Sequence, residues 1–338
     1  MQAEHLAWPA LTKSYGKEIM KLYVIGNGFD LHHGLNTSYI SFGLFLKKHY
    51  SDVYELLLEH YGFEDINSEN QSVIRDLLWS DFEHSLSLLD TQTVLDAYTD
   101  YLANPSSADF RDRDWGAFQI EMEFVLEKLT ATLFSAFKEF ILSVEFPNLD
   151  QLKEIKLDKK ARYLTFNYTD TLSRYYSISD ENVLFIHGKV DGGVDELVLG
   201  HGVNPDSFIE KPESPPEGLS SENLEAWSEQ MSDQFDYSYE LGKETINRYS
   251  NETFKCTESI ISSNAMFFRN LKSIDEVIVI GHSLADVDMP YFKHLAMSIK
   301  HSANWTVTFH DEGDQNTHFS KLTNLGIKNI SVVRMSAL

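Results

Sequence analysis

The sequence predicts an α/β fold: a Rossmann-like, mainly parallel sheet flanked by helices, with a large helical insertion after the first strand–helix unit. Three observations carry this reading. Short apolar runs alternate with stretches of helical periodicity along the 338 residues. The first run, Leu22-Tyr23-Val24-Ile25, ends in the glycine turn Gly26-Asn27-Gly28 and leads into a helical pattern. Polar or glycine-rich clusters stand just past the carboxyl ends of five predicted strands, the place where open α/β sheets bind ligands.

Taken in order, residues 1–19 read as an N-terminal extension, because Met20 runs directly into the first strand. Residues 20–338 read as a single α/β nucleotide-binding domain. After the glycine turn, apolar residues recur at three-four spacing from Tyr39 through Phe42, Leu46 and Tyr54. A second stripe holds Leu78, Phe82 and Leu86, and a third runs from Phe118 through Met122, Leu129 and Phe137 to Val144. The helical insertion therefore spans about 39–146. Strands are expected at 162–166, 183–186 and 197–199, each short and bounded by polar turns. Residues 205–250, with Pro212, Pro215, Pro216 and many acids, read as an acidic surface insertion carrying one or two helices. Strands return at 277–280, 305–309 and 330–333, with a helix starting near Pro290.

Composition excludes several function classes. With 42% apolar residues the chain can bury a core, so global disorder is ruled out. The 52 acidic against 28 basic residues leave a net charge of −24, which disfavours nucleic acid as a partner. The single cysteine, Cys256, excludes a disulfide framework and a four-cysteine zinc module. No apolar run is long enough to span a membrane, and the expectation is a cytoplasmic protein.

The five clusters are Gly26-Asn27-Gly28, Asn167-Tyr168-Thr169, His187-Gly188, Gly281-His282-Ser283 and His310-Asp311, and they should converge on one crevice. The glycine turn lets backbone amides approach a pyrophosphate, although Leu31 stands where a third fingerprint glycine belongs. Asp30 is placed either to cap amides of the first helix or to bind a ribose hydroxyl. Asn167 can position a water or a ribose hydroxyl, and His187 can accept a proton from either, so these two are the candidate catalytic residues. Gly281 and Ser283 are expected to touch the ligand, while Asp288 is expected to cap the next helix. His310 and Asp311 either hold an adenosine ribose or form a solvated strand end. His32 and His33 are adjacent and face different ways on a helix, so no metal site is predicted. Trp79 and Phe82 read as core, and Glu83 on the same stripe as a possible crevice residue.

The run from Val24 through Gly26-Asn27-Gly28-Phe29-Asp30-Leu31-His32-His33-Gly34 to Tyr39 resembles the amino-terminal signature of the AbiH family of phage abortive-infection proteins. Residues 79–83, Thr165 to Thr169, Ile186-His187-Gly188 and 281–288 resemble that family's pattern as well. The resemblance implies bacterial defence by arrest or death of the infected cell, with a phage-derived trigger. More distantly, Gly26 to Gly34, Asn167 and His187 are similar to a sirtuin-like NAD-binding core, in which the asparagine and histidine serve cleavage of the nicotinamide glycosidic bond. Asp30 and His33 depart from that pattern where serines stand, and Thr169 where an aspartate stands.

The leading expectation is thus an NAD-consuming hydrolase, with NAD or a related dinucleotide as substrate or ligand and with no metal. The alternatives are a non-catalytic nucleotide sensor that signals to a partner and, ranked third, an RNA nuclease. A homo-oligomer is compatible with the sequence.

Overall fold

The computed structural model describes residues 19–67, 77–150, 153–190, 197–210, 214–233 and 235–338. The expected N-terminal extension falls outside these residues except for Ile19. Six parallel strands form the sheet: β1 (Lys21–Ile25), β2 (Arg162–Thr165), β3 (Val183–Phe185), β4 (Glu276–Ile280), β5 (Asn304–Phe309) and β6 (Ile330–Arg334). Their spatial order is β3-β2-β1-β4-β5-β6. Strand order therefore reverses between β1 and β4, and the loops leaving these two strands diverge to opposite faces, opening a crevice at their carboxyl ends.

Alternation along β1 explains why it sits at the centre. Leu22 and Val24 pack on one face with Leu164, Val279, Trp305 and Val307. Tyr23 and Ile25 pack on the other with Phe29, Tyr163, Leu172 and Ile280. A parallel sheet must be covered on both faces, and the apolar run at β1 supplies a buried residue at every position after Lys21.

The insertion after the first unit builds a third core of its own, which includes Phe42, Trp79, Phe82, Phe118 and Phe137. It is less continuously helical than the periodicity suggests, since turns and 3₁₀ segments occupy much of the chain between Tyr98 and Gly116. Its longest element joins the helices Ala117–Glu127 and Leu133–Ser143 through a π-helical turn, Lys128–Thr132. The later insertion is only partly a surface feature. Its helix Ser221–Asp233 is largely exposed, whereas Tyr237–Asn247 lies along Ala117–Glu127. Gly242 makes that approach close, because a Cβ there would collide with the Phe118 ring, and Ile246 and Tyr249 complete the helical core.

One expected strand does not form. Residues 197–199 run past the end of β3 instead of pairing in the sheet. Val198 donates to the His187 carbonyl at 2.9 Å, and its own carbonyl accepts from the Tyr168 hydroxyl at 2.7 Å. The apolar pattern there reflects burial against the helical layer, to which Leu199 contributes. Among the described residues no helix is long and apolar enough to cross a membrane.

At the switch point the β1 and β4 turns cross in direct backbone contact. Gly26 N donates to Ile280 O at 2.9 Å and Gly28 N to Gly281 O at 2.7 Å. A Cβ on Gly26 would stand 2.6 Å from His282 Cα, and one on Gly28 would stand 2.8 Å from Gly281 Cα. Gly281 itself has φ +65, and its Cβ would strike the Phe29 nitrogen. Gly281→Ala is expected to lower folding stability by about 3 kcal/mol or more through strain and overpacking together. Urea unfolding checks this, and a loss below about 1 kcal/mol would show that the crossing can relax.

Candidate functional site

The crevice at the carboxyl ends of the strands has a volume of about 890 Å³. All five polar clusters reach it. Gly26, Asn27, Gly28, Asn167, His187, Gly281, Ser283 and His310 line it together with Asp30, while Asp311 is exposed and lies off the lining. The insertion supplies a roof through Tyr39, Asp81, Glu83 and Phe137, and the far end is closed by His318 and Arg334.

The glycine turn has a different first duty from the one expected. The amides of Gly26 and Gly28 are engaged by β4 and its turn, and the missing side chains make room for that turn, so the close approach is of protein to protein. The Asn27 side chain is likewise satisfied internally, donating to Thr37 O at 3.0 Å and accepting from the Thr37 hydroxyl at 2.6 Å. These bonds pin the loop that carries the chain into the roof. His33 is structural too, its ring contacting Phe29 O and Tyr176 Oη at 2.6 Å each.

Asp30 does not cap the first helix, since Gly26 occupies the N-cap of Asn27–His32 and Asp30 sits inside it. Its carboxyl is almost wholly buried, and Oδ2 accepts from the Thr169 hydroxyl at 2.5 Å. Two of the three positions that depart from the sirtuin-like pattern, Asp30 and Thr169, are therefore bonded to each other. Burial pushes the Asp30 pKa up to about 6, against the Thr169 hydrogen bond and the nearby Thr171 and Asn167 side chains, which favour the charged form. Its Oδ1 completes no hydrogen bond, nor does either polar atom of the Asn167 amide. His187 Nε2 is buried and in the same condition, with Asp288 Oδ1 at 3.7 Å.

Behind these groups lies a charge cluster that the sequence did not disclose. Lys255, fully buried, forms ion pairs with Glu83 from the roof and with Asp288, the latter at 3.1 Å. Glu83 Oε1 also accepts from the Tyr39 hydroxyl at 2.9 Å. Asp288 occupies the N-cap position of Met289–Ser298 but makes no capping bond. Its carboxylate instead faces Lys255 on one side and His282 Nε2, at 3.4 Å, on the other. His282 Nδ1 accepts from Leu284 N at 2.9 Å, which places the proton on Nε2, toward Asp288. Burial disfavours the charge on Asp288, yet Lys255 and the His282 hydrogen bond outweigh it and hold its pKa below the usual carboxylate range. Burial raises the pKa of Glu83 against the pull of Lys255, with the charge of Asp288 adding to the rise. Burial and the Lys255 charge push His187 well below its ordinary value, so its imidazole is neutral.

Phe166 separates the two histidines, its ring 5.2 Å from His187 and 4.3 Å from His282 in edge-on geometry. Leu284, buried at φ +54, carries the strain of returning the chain from the β4 turn to the core. His318 was also missed. It shares the buried face of Asp314–Asn324 with Leu322 and approaches the Ser283 and Thr308 backbones, a placement that its helical spacing from Leu322 alone hints at.

A family model described as "Bacteriophage abortive infection AbiH" matches residues 22–309. No curated protein and no solved structure matches the chain.

Two stability predictions follow from the charges. Because the Asp30 pKa is raised on folding, its protonation favours the fold, and that contribution is lost as pH rises from about 4 through about 6. Asp30→Asn should therefore be more stable than wild type at pH 8 by roughly 3 kcal/mol, a difference that vanishes toward pH 4. Urea unfolding at both pH values reads it; an equal or less stable variant at pH 8 overturns it. Lys255→Met leaves Glu83 and Asp288 uncompensated, and the same measurement at pH 7.5 should show a loss of about 3–5 kcal/mol.

Proposed function

The chain belongs to the AbiH family of bacteriophage abortive-infection proteins, and on that premise we propose that it acts in defence by hydrolysing NAD at the nicotinamide glycosidic bond. The observation that carries this reading is the set of buried, unpartnered polar atoms on Asp30, Asn167 and His187, all facing a crevice at the switch point of a Rossmann-ordered sheet. Leaving a buried polar atom without a partner costs on the order of 1–3 kcal/mol, so a polar ligand that completes these bonds recovers much of that cost. The crevice volume of about 890 Å³ suits a dinucleotide.

In this reading Asn167 orients the attacking water, and His187, neutral and buried, offers Nε2 to a ribose hydroxyl or to that water. The internal engagement of the Gly26 and Gly28 amides moves the pyrophosphate toward Ser283 and His310 on the rim. Aromatic walls from Phe137 and Phe166 keep bulk water from the reacting centre. Loss of NAD accounts for arrest of an infected cell.

A second reading is a nucleotide sensor. Lys255 ties the roof residue Glu83 to Asp288 beside His187, so a ligand bound at that histidine perturbs the contact between roof and sheet.

Purified wild type, Asn167→Ala and His187→Ala, incubated with NAD, separate the two. Nicotinamide release by wild type, lowered about 10²- to 10⁴-fold in each variant with the fold intact, is the expected result. Saturable binding by calorimetry with no product favours the sensor, and undiminished release by Asn167→Ala removes that residue from the mechanism.

A further inference from the structure

Asp30 and Asn167 reach the crevice from different strands, one in the helix after β1 and the other immediately past β2. The carboxyl is held from behind. Thr169 donates to Oδ2 at 2.5 Å, and Thr169 is itself 3.0 Å from the Thr171 hydroxyl. This leaves Oδ1 buried and completing no hydrogen bond, as do both polar atoms of the Asn167 amide, which lies near enough to the carboxyl to favour its charge. Two acceptors and one donor at such a place suit a water molecule, which donates to both acceptors and keeps a lone pair for attack.

We propose that Asp30 is the general base of this crevice, its Oδ1 taking a proton from a water that Asn167 holds against the ribosyl carbon of a nicotinamide dinucleotide. The assignment rests on the glycohydrolase reading above and changes the roles within it. As the water oxygen bonds to the ribosyl carbon, the bond from that carbon to the pyridinium nitrogen breaks. The electron pair of that bond stays on nitrogen and neutralises the ring, and one water proton passes to Asp30 Oδ1 and then to solvent. The products are nicotinamide, ADP-ribose and a proton. The carboxylate charge also favours the positive charge that develops at the ribosyl carbon. Thr169 is a positioning residue, keeping Oδ2 occupied so that Oδ1 is the oxygen left for the water.

Titration behaviour agrees with this geometry. Burial, the largest influence, sets Asp30 near 6, which matches a base working around neutrality. Asp170 from the β2 loop pushes it further up, and Tyr175 on the next helix senses its charge. His32 follows it on its own helix and His33 caps that helix's end, tied to Phe29 and Tyr176. His187, pushed far below its ordinary value, is a weak base and better suited to hold a hydroxyl.

The test uses the full chain and NAD, with nicotinamide release followed from about pH 5 to pH 9 and binding measured by calorimetry. Wild-type kcat/KM should fall on the acid side with a midpoint near 6. Asp30→Asn should lower kcat by about 10²- to 10⁴-fold and flatten that limb, with NAD affinity within about threefold of wild type. Thr169→Val, losing a bond that favours the carboxylate, should move the limb to higher pH at unchanged KM. An Asp30→Asn protein that turns over like wild type, or keeps the acid limb, overturns the assignment and leaves the glycohydrolase reading standing. Wild type that binds NAD and releases no nicotinamide overturns both.

Discussion

Two backbones meet between β1 and β4 with no space for a side chain on Gly26, Gly28 or Gly281, and the position of the crevice depends on that meeting. Because β1 pairs with both β2 and β4, its exit turn must pass the exit turn of β4 at contact distance. Only glycine permits this. The crossing fixes where Asp30 enters, since the short helix Asn27–His32 starts from it, and where His282 and Ser283 stand on the other side. A glycine pattern usually read as a phosphate cradle is here first a packing device between two turns.

The second organising feature is electrostatic. Lys255, Glu83 and Asp288 would each be unstable alone at such depth, and together they bring three distant stretches of chain to one point. A buried ion pair adds little net stability compared with apolar packing, so its retention points to specificity and to the condition it imposes on His187. Asp30 carries the same message with the opposite sign, because a carboxyl kept at a site that disfavours its charge lowers stability near neutral pH.

Much of this was legible in the sequence for a physical reason. Buried parallel strands need near-continuous apolar runs, and β1 and β4 announce themselves in that way, while β5 shows an alternation of Trp305, Val307 and Phe309 with threonines. Turn clusters at strand ends are also local, so their convergence follows from topology alone. The illegible parts are all long-range. Lys255 lies between Phe254 and Cys256, with Glu252 and Glu258 its nearest acids in sequence, and nothing local reveals that it pairs instead with Glu83 and Asp288. Asp288 carries the residue type and position of a helix cap, yet its carboxylate turns to the charge cluster because Lys255 and His282 offer stronger partners than a backbone amide. Residues 197–199 have strand-like composition but lie past the sheet's edge, and the resemblance of residues 237–250 to a surface segment concealed Ile246 and Tyr249, which only Gly242 lets dock.

The shared core of the two insertions has a consequence for how the molecule is made. The roof needs Ile246 and Tyr249 from the later insertion as well as Phe118 and Met122 from the earlier one, and its anchoring charge needs Lys255. A chain emerging from the ribosome amino-terminus first therefore holds Glu83 without its counter-charge until Lys255 has followed it. The roof and the electrostatic setting of the crevice are complete only once the stretch from Ile246 to Asp288 has followed. Chains that stop short of that stretch are thus without a completed crevice.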